Sequence, residues 1–271
     1  MRSATVFALV LVFSAAVPVT AQAGSKPTCF GEKATIVGTK GADRITLTPK
    51  HDVVVTLGGD DTIVPEFYSP GDGSESDPYV YSGPSPSRDL VCTGDGNDWI
   101  IGNQGSGGYA YKVDAGPGND RIGSGTRIWA GPGNDTVGYL DCSPTEVHGG
   151  SGNDRIVSGR SAYDSAGEPG PRFHGCSDDD DKVWGDSGYD TIFGADGDDI
   201  IYGGPGNDEI HGGTGNNKLY GWAGSDTLLG DTGNDLLDGG GESGDIDRCG
   251  GGLGKNSYVK CEKRIPGDHE S

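Results

Sequence analysis

Seven residues with oxygen-bearing side chains recur at every ninth position in the second half of the chain: Asp181, Asp190, Asp199, Asp208, Asn217, Asp226 and Asp235. Carboxylate and amide oxygens are side-chain ligands that hard divalent cations such as calcium bind. If the fold brings these positions into line, the row becomes a series of cation sites. The elements that place the acids must therefore explain the period of nine.

The residues around each acid keep the same period. An aliphatic residue follows two positions later (Val183, Ile192, Ile201, Ile210, Leu219, Leu228 and Leu237), a glycine precedes by two positions from Asp190 onward (Gly188, Gly197, Gly206, Gly215, Gly224 and Gly233), and another glycine opens each unit at 185, 194, 203, 212, 221, 230 and 239. A helix repeats its apolar positions every three or four residues and a strand every second one. Nine therefore describes a larger unit.

Each unit divides into a turn of six residues and a strand of three. The glycines suit backbone conformations with positive φ, which other residues adopt only at a cost. In the strand the central aliphatic side chain points inward and its neighbours outward, because side chains alternate. Two units make one coil, and stacked coils predict an all-β solenoid with two narrow parallel sheets around an aliphatic column.

Stacking brings equivalent carboxylates of adjacent coils to about 4.8 Å. At about that distance two like charges repel by roughly 1 kcal/mol in water and by several times more near a protein surface. A cation between neighbouring turns converts this repulsion into a bond. Calcium accepts about six to eight oxygens, backbone carbonyls included, in a flexible geometry, whereas magnesium requires a stricter octahedron. Several calcium ions are therefore the predicted cofactor.

The unit GGPGNDEIH at 203–211 resembles the nonapeptide G-G-x-G-x-D-x-U-x of the RTX, or haemolysin-type, calcium-binding repeats. The resemblance implies a right-handed parallel β-roll with calcium between successive turns. It gives the ligand role to Asp190, Asp199, Asp208, Asp226 and Asp235. Asn217 departs from the pattern and is expected to lend an oxygen with one charge fewer, in a weaker site. One nonapeptide is weak evidence, but seven in register are strong.

The first half holds a less regular version of the same pattern. Asp43, Asp52 and Asp61 lie nine apart, and Asp89 and Asp98 repeat the step. Lys50 and His51 replace the small turn residues before Asp52, so no calcium is expected at that turn.

Units 115–123, 130–138 and 149–157 add three further acids, each with an inward-facing candidate nine residues before its own aliphatic residue. We predict that Asp98, Asp120, Asp135 and Asp154 stack in one column while the opposite edge varies. The predicted metal-binding residues are Asp43, Asp61, Asp98, Asp120, Asp135, Asp154, Asp181, Asp190, Asp199, Asp208, Asn217, Asp226 and Asp235, with the turn glycines Gly188, Gly197, Gly206, Gly215, Gly224 and Gly233.

Composition and the N-terminal segment limit the classes of protein to which the chain can belong. The chain has 271 residues, 52 of them glycine, only 32% hydrophobic residues and a formal charge of −21. A thick globular core is not expected, and nucleic acid is an improbable partner because its phosphates would be repelled. Residues 1–23 read as a secretory signal peptide, with Arg2 before an apolar stretch and Ala21-Gln22-Ala23 at the cleavage site. The stretch is shorter than the roughly 18 residues of a membrane span.

Six cysteines remain for disulfides: Cys29, Cys92, Cys142, Cys176, Cys249 and Cys261. An even number in a secreted chain suggests that all are paired, although six cysteines allow about 15 pairings. Cys249–Cys261 is favoured by proximity, and Cys29–Cys92 with Cys142–Cys176 would complete the set. A zinc site is the weaker alternative, because no C-x2-C pair occurs and the histidines are scattered.

Two segments leave the pattern, at 65–88 and 158–180. The first is rich in Pro, Ser and Tyr, and long insertions of this kind are often functional. The Tyr-rich segment 65–88 could form a surface for an extracellular glycan, as in an adhesin or carbohydrate-binding protein. A loop that covers an exposed edge of the roll is the simpler interpretation.

Catalytic motifs are not apparent. The sequence has no G-x-S-x-G elbow and no H-E-x-x-H, and its many carboxylate pairs make a glycosidase pair uninformative. A lyase or epimerase on the flat face of a parallel β-solenoid stays open as an alternative.

The sequence thus predicts a secreted, non-enzymatic calcium-binding β-roll whose folding is coupled to calcium. The predicted divisions are a signal peptide at 1–23, an irregular β-roll at 24–157 with the insertion at 65–88, an insertion loop at 158–180, a regular roll at 181–247, and a disulfide-closed cap and tail at 248–271. The oligomeric state stays open.

Overall fold

The computed structural model describes residues 26–65, 88–101, 112–123, 125–138, 145–158, 180–241, 244–265 and 269–270. Most of both predicted insertions, the predicted signal peptide, Cys142 and Cys176 lie outside these ranges. No helix that could cross a bilayer occurs in the described part of the chain.

All regular elements in the described ranges are short β-strands, most of them two or three residues long. In chain order they are β1 (Thr28–Cys29), β2 (Glu32–Lys33), β3 (Ile36–Val37), β4 (Arg44–Thr46), β5 (Val53–Val55), β6 (Thr62–Val64), β7 (Leu90–Cys92), β8 (Trp99–Ile100), β9 (Lys112–Asp114), β10 (Arg121–Ile122), β11 (Arg127–Pro132), β12 (Thr136–Val137), β13 (Glu146–Ser151), β14 (Arg155–Val157), β15 (Lys182–Ser187), β16 (Thr191–Phe193), β17 (Ile200–Pro205), β18 (Glu209–His211), β19 (Lys218–Ala223), β20 (Thr227–Leu229), β21 (Leu236–Gly240), β22 (Arg248–Gly250), β23 (Leu253–Gly254), β24 (Ser257–Val259), β25 (Lys263–Arg264) and β26 (His269–Glu270).

Twenty-two of the 26 strands in the described ranges alternate between two parallel sheets of eleven strands each, and the two-stranded sheets β1–β2 and β23–β26 contain the other four. Sheet 1 runs in the order β3, β5, β7, β9, β11, β13, β15, β17, β19, β21, β24, and sheet 2 in the order β4, β6, β8, β10, β12, β14, β16, β18, β20, β22, β25. Each strand therefore pairs with the strand one coil away, and successive strands lie in opposite sheets. The predicted β-solenoid is confirmed.

One column of aliphatic side chains fills the space between the sheets. Each strand of the two large sheets contributes an inward residue, and from Val113 to Leu237 each of these residues is almost fully buried. The register pairs each one with its equivalent in the next coil, as in Ile192 with Ile210 and Ile210 with Leu228. Each buried Ile or Leu contributes about 1.5–3 kcal/mol, so the column supplies most of the apolar stabilisation of a thin fold.

Five rings stack on the outer face of sheet 1. Trp129, His148, Trp184, Tyr202 and Tyr220 occupy equivalent positions of successive coils, with centroids 4.5–6.1 Å apart and ring planes within 16° of each other. Offset stacking of this kind stabilises each aromatic pair by about 0.5–1.5 kcal/mol beyond burial. The aromatic ladder thus ties the coils together from outside.

The N-terminal hairpin of β1 and β2 lies on the same outer face. Cys29 packs there in a small second core with Val53 and Leu90 and forms a disulfide with Cys92. Phe30, next to Cys29, contacts Trp129 at a ring distance of 5.3 Å. The hairpin therefore fastens to the first coils covalently and through apolar contact.

At the other end, Cys249 takes the inward position of β22 and forms a disulfide with Cys261. The predicted pairs Cys29–Cys92 and Cys249–Cys261 are both confirmed. The third predicted pair, Cys142–Cys176, lies outside the described residues.

The glycine two residues before each acid is required by coil stacking. Gly233 has a φ of +140°, and a Cβ built there would overlap the carbonyl oxygen of Gly215 in the preceding coil. The equivalent turn glycines 188, 206, 215 and 224 meet the preceding coil in the same way. These glycines, predicted as part of the metal sites, therefore act first as steric spacers between coils.

Substitution of Gly233 by alanine is expected to lower the free energy of unfolding by about 2–5 kcal/mol, because it combines a strained positive φ with overpacking. Urea denaturation in saturating calcium measures this difference. Gly138→Ala is the matched control, since no atom lies within 4 Å of the Cβ position of Gly138. Equal losses in the two variants would contradict the steric explanation.

Candidate metal centre

The turns lie along two edges of the roll, and each edge carries a column of acids. Edge A comprises the turns that lead from sheet 1 to sheet 2, and edge B the turns that lead from sheet 2 to sheet 1. Column A on edge A contains Asp43, Asp61, Asp98, Asp120, Asp135, Asp154, Asp190, Asp208, Asp226 and Asp247. The backbone N–H of each member donates to Oδ1 of the next, at 2.7–2.9 Å. The prediction that Asp98, Asp120, Asp135 and Asp154 share one column is confirmed.

Column B, on edge B, is discontinuous. Asp52 donates to Asp89 in the first coils, and the series resumes as Asp181, Asp199, Asn217 and Asp235, joined by the same hydrogen bonds. Between these two parts Thr145 occupies the position of an acid and donates to Asp181 Oδ1. The opposite edge therefore varies, as predicted, and the acids of the regular repeats divide between the two edges.

The second carboxylate oxygen of most members is buried without a partner. Oδ2 makes no hydrogen bond in Asp61, Asp98, Asp120, Asp135, Asp154, Asp190, Asp208, Asp226, Asp235 and Asp247. These side chains are at most 3% exposed. Burying an ionised carboxylate with an unsatisfied oxygen is costly, so the group must gain a cation or a proton.

The pKa values of the columns reflect this cost. Burial raises the pKa of Asp120, Asp135, Asp190, Asp208 and Asp226 to about 7. It raises those of Asp154 and Asp235 to about 6. The N–H donated to Oδ1 opposes the shift, and neighbouring carboxylates add to it.

The glycine that opens a turn leaves room beside the unpartnered oxygen. A Cβ on Gly185 would lie 2.5 Å from Asp190 Oδ2 and 2.6 Å from the carbonyl oxygen of Gly203 in the next coil. On Gly194 it would lie 2.5 Å from Asp199 Oδ2 and 2.5 Å from the carbonyl oxygen of the next coil. Each such turn therefore gathers a carboxylate oxygen and a carbonyl oxygen around a space that a side chain would fill.

These donors fit calcium, which combines carboxylates and backbone carbonyls. No group of three or more His, Cys, Asp or Glu side chains converges in the described ranges. A cation in these turns would therefore need carbonyl oxygens as well as Asp oxygens. The glycine-opened turns of Asp154, Asp190, Asp199, Asp208 and Asp226 provide both.

The fit weakens in the first coils. Thr56, Thr93, Ala115 and Ala130 stand where later turns open with glycine, so a side chain occupies the space. The predicted ligand Asp43 has its Oδ2 engaged by the N–H of Thr39 at 2.6 Å. Asp52 likewise accepts from Thr48 at both oxygens; that its turn holds no calcium stays a prediction.

Asn217 differs from the acids of the columns. Its Oδ1 accepts the N–H of Asp199 at 3.0 Å, and its Nδ2 takes the inward position that Oδ2 takes in the acids. An amide N–H2 donates and cannot bind a cation. In this side-chain orientation the backbone of the neighbouring coil uses the Asn217 oxygen, and a ligand role for that oxygen stays a prediction.

A second ladder lies outside the acids and was missed in the sequence. On edge A, Asn97, Asn119 and Asn134 each accept the N–H of the equivalent residue in the next coil, and Asn216 and Asn234 do so on edge B. This ladder runs in the opposite direction to the Asp ladder. The recurrent Asn-Asp pair was the signal for this ladder in the sequence. The Asn and the Asp of each pair accept backbone N–H groups that the turn leaves outside the sheets.

Asp89 and Asp247 were also left out of the predicted ligands, although the columns include both. Asp247 follows Asp226 by 21 residues instead of 18, so a search at multiples of nine passes over it.

Comparison with protein families agrees with this geometry. The family model described as the RTX calcium-binding nonapeptide repeat (4 copies) matches residues 37–65, 89–106, 146–162, 177–210 and 202–237. A search of curated proteins finds no match.

The raised pKa values predict how the metal-free protein responds to pH. The folded state binds protons more tightly than the unfolded state, whose Asp pKa is 3.8, so this stabilising contribution is complete below about pH 4 and is lost as pH rises through about 7. The calcium-depleted protein should therefore keep more strand signal in circular dichroism at pH 5 than at pH 7.5. In saturating calcium this loss of strand signal should vanish, because the ion binds the ionised carboxylates. A metal-free strand signal that rises with pH would contradict burial of unpartnered carboxyls.

Asn217→Asp should place a carboxylate oxygen in the one regular turn that presents an amide. We expect one additional calcium ion or about tenfold tighter binding at that turn, because ligand charge sets affinity. Isothermal titration calorimetry measures both. The control Asn216→Asp adds the same charge on the exposed ladder, and an identical titration of the two variants would exclude Asn217 from the site.

Proposed function

We propose that this chain, which carries RTX calcium-binding nonapeptide repeats, is a secreted calcium-binding β-roll, with folding coupled to extracellular calcium and a binding or structural role without catalysis. The observation that carries the proposal is column A, a row of buried Asp side chains in which the Oδ2 atoms from Asp61 to Asp247 have no hydrogen-bond partner. Calcium would supply positive charge at these atoms when bound.

The coupling to folding follows from the columns. Unfolded, the acids are dispersed and hydrated, and the calcium sites do not exist. In the roll, each Asp is buried and aligned with the next, so binding free energy becomes folding free energy. Extracellular modules bind calcium in about the 0.1–1 mM range, so the roll would fold after export and remain expanded where calcium is scarce.

Secretion is supported by two independent features. Residues 1–23 have the three regions of a signal peptide. The described residues contain two disulfides, Cys29–Cys92 and Cys249–Cys261, and such bonds persist in oxidising compartments.

Glycan binding remains the alternative that rests on the insertion at 65–88, most of which lies outside the described residues. The aromatic ladder of sheet 1 adds no support to it. Sugar rings bind to the faces of aromatic rings, and in the ladder these faces pack against each other at 4.5–6.1 Å. Trp222 meets Tyr202 edge-on beside the ladder and keeps 58% exposure.

The proposal predicts that calcium removal unfolds the roll. Far-ultraviolet circular dichroism at pH 7.5 should show loss of strand signal in excess chelator and full recovery on addition of calcium. Strand content that persists unchanged without calcium would contradict the coupling of folding to calcium binding.

Asp208→Asn tests the role of a single column member. The amide can still accept the N–H of Asp190 through Oδ1, but the charge at Oδ2 is lost, so the calcium concentration at the folding midpoint should rise several-fold. Asp198→Asn is the matched control: it removes the same charge from an exposed side chain whose Oδ1 accepts from Asn216. Equal midpoints for the two variants would show that total charge, not the column, governs folding.

A further inference from the structure

The C-terminal cap leaves the nine-residue register but keeps one buried acid. Asp247 follows Asp226 by 21 residues and is fully buried. Its Oδ1 accepts the N–H of Asp226 at 2.9 Å, while its Oδ2 has no hydrogen-bond partner. The residue thus has the environment of a column member in a segment beyond the matched repeats, which end at 237.

The carbonyl oxygen that lies near Asp247 belongs to Lys260, which is not part of any nine-residue repeat. A Cβ on Gly239 would lie 2.5 Å from Asp247 Oδ2 and 2.5 Å from the carbonyl oxygen of Lys260. In the regular turn of Asp199, the equivalent space over Gly194 has the same two distances, but the carbonyl belongs to a glycine. Lys260 has a φ of +46°, a left-handed conformation that is uncommon outside glycine. The cap therefore reproduces the oxygen pair of a regular turn with different residues.

A second carboxylate adjoins this space. Glu262 Oε2 accepts the N–H of Asp247 at 2.9 Å, the place that Oδ1 of the following Asp takes elsewhere in column A. Glu262 therefore fixes the backbone of Asp247 and adds negative charge next to an unpartnered oxygen.

One covalent bond joins the two halves of the arrangement. Asp247 is two residues before Cys249, and Lys260 and Glu262 flank Cys261. The Cys249–Cys261 disulfide holds their Cα atoms 5.9 Å apart. The carbonyl and both carboxylates are consequently positioned by the same cross-link.

We propose that the cap binds a further calcium ion, with the Asp247 carboxylate and the Lys260 carbonyl as ligands and Glu262 as the positioning residue, and that this ion and the Cys249–Cys261 disulfide stabilise each other. The inference rests on the proposed calcium-binding function and extends it beyond the repeats. The coupling is reciprocal: the disulfide orders the ligands before the ion binds, and the bound ion holds together the segments that reduction would release. The ion would tie the turn between the terminal strands β24 and β25 to the turn that precedes β22.

The test compares the wild type, Asp247→Asn and Asp238→Asn as full-length oxidised proteins. Asp238 lies on the outer face of β21, where its Oδ1 accepts the N–H of Gly240, so Asp238→Asn removes the same charge from a side chain that is not a ligand of the proposed site. Calorimetry counts the bound calcium ions. A second measurement follows reduction of each disulfide by dithiothreitol in saturating calcium and in excess chelator, with alkylation and peptide mass spectrometry, and Cys29–Cys92 serves as the reference at the far end.

We expect Asp247→Asn to bind one ion fewer than the wild type and to lose about tenfold of the calcium-dependent slowing of Cys249–Cys261 reduction. Reduction of Cys29–Cys92 should not change, and Asp238→Asn should behave as the wild type. If Asp247→Asn fails to fold, Glu262→Gln replaces it, since it retains an oxygen for the N–H of Asp247 and removes only the charge. It should weaken the last ion and the protection in the same direction.

An unchanged ion count and unchanged protection in the variant that folds would overturn the cap site. This outcome differs from failure of the proposed function, in which the wild type itself would bind no calcium.

Discussion

The structure depends on one electrostatic constraint. Stacking of the coils aligns the carboxylates, and burial removes them from water. Each column member gives one oxygen to the backbone of the neighbouring coil, and that hydrogen bond sets the spacing of the turns. The other oxygen is left without a partner. The same geometry that builds the edge therefore creates a charge that the chain alone does not satisfy and that a bound cation would offset.

The two edges of the roll differ in the continuity of their columns of acids. Column A runs without interruption from Asp43 to Asp247, while column B is broken where Thr145 stands in place of an acid. Column A and the aliphatic core therefore keep the coils in register where column B is interrupted.

Apolar packing, ring stacking and disulfides support the two columns of acids. The inward Ile, Val and Leu side chains fix the strands, the aromatic ladder links successive coils of sheet 1, and disulfides fasten the hairpin and the cap. A solenoid has contacts mainly between neighbouring coils, so its ends need separate protection. Both described disulfides lie at those ends.

The repeat determined the period, the inward aliphatic residues, the turn glycines and the alignment of the acids, because each of these is a local property that recurs every nine residues. It even predicted the common column of Asp98 to Asp154 despite uneven spacing. Only the tertiary structure decided which oxygen of each acid is free, that the amide of Asn217 faces the site with its nitrogen, and that Asp247 continues column A. Those properties depend on hydrogen bonds from a neighbouring coil, usually 15 to 37 residues away in the chain, and a one-dimensional pattern does not record which backbone group each side chain meets.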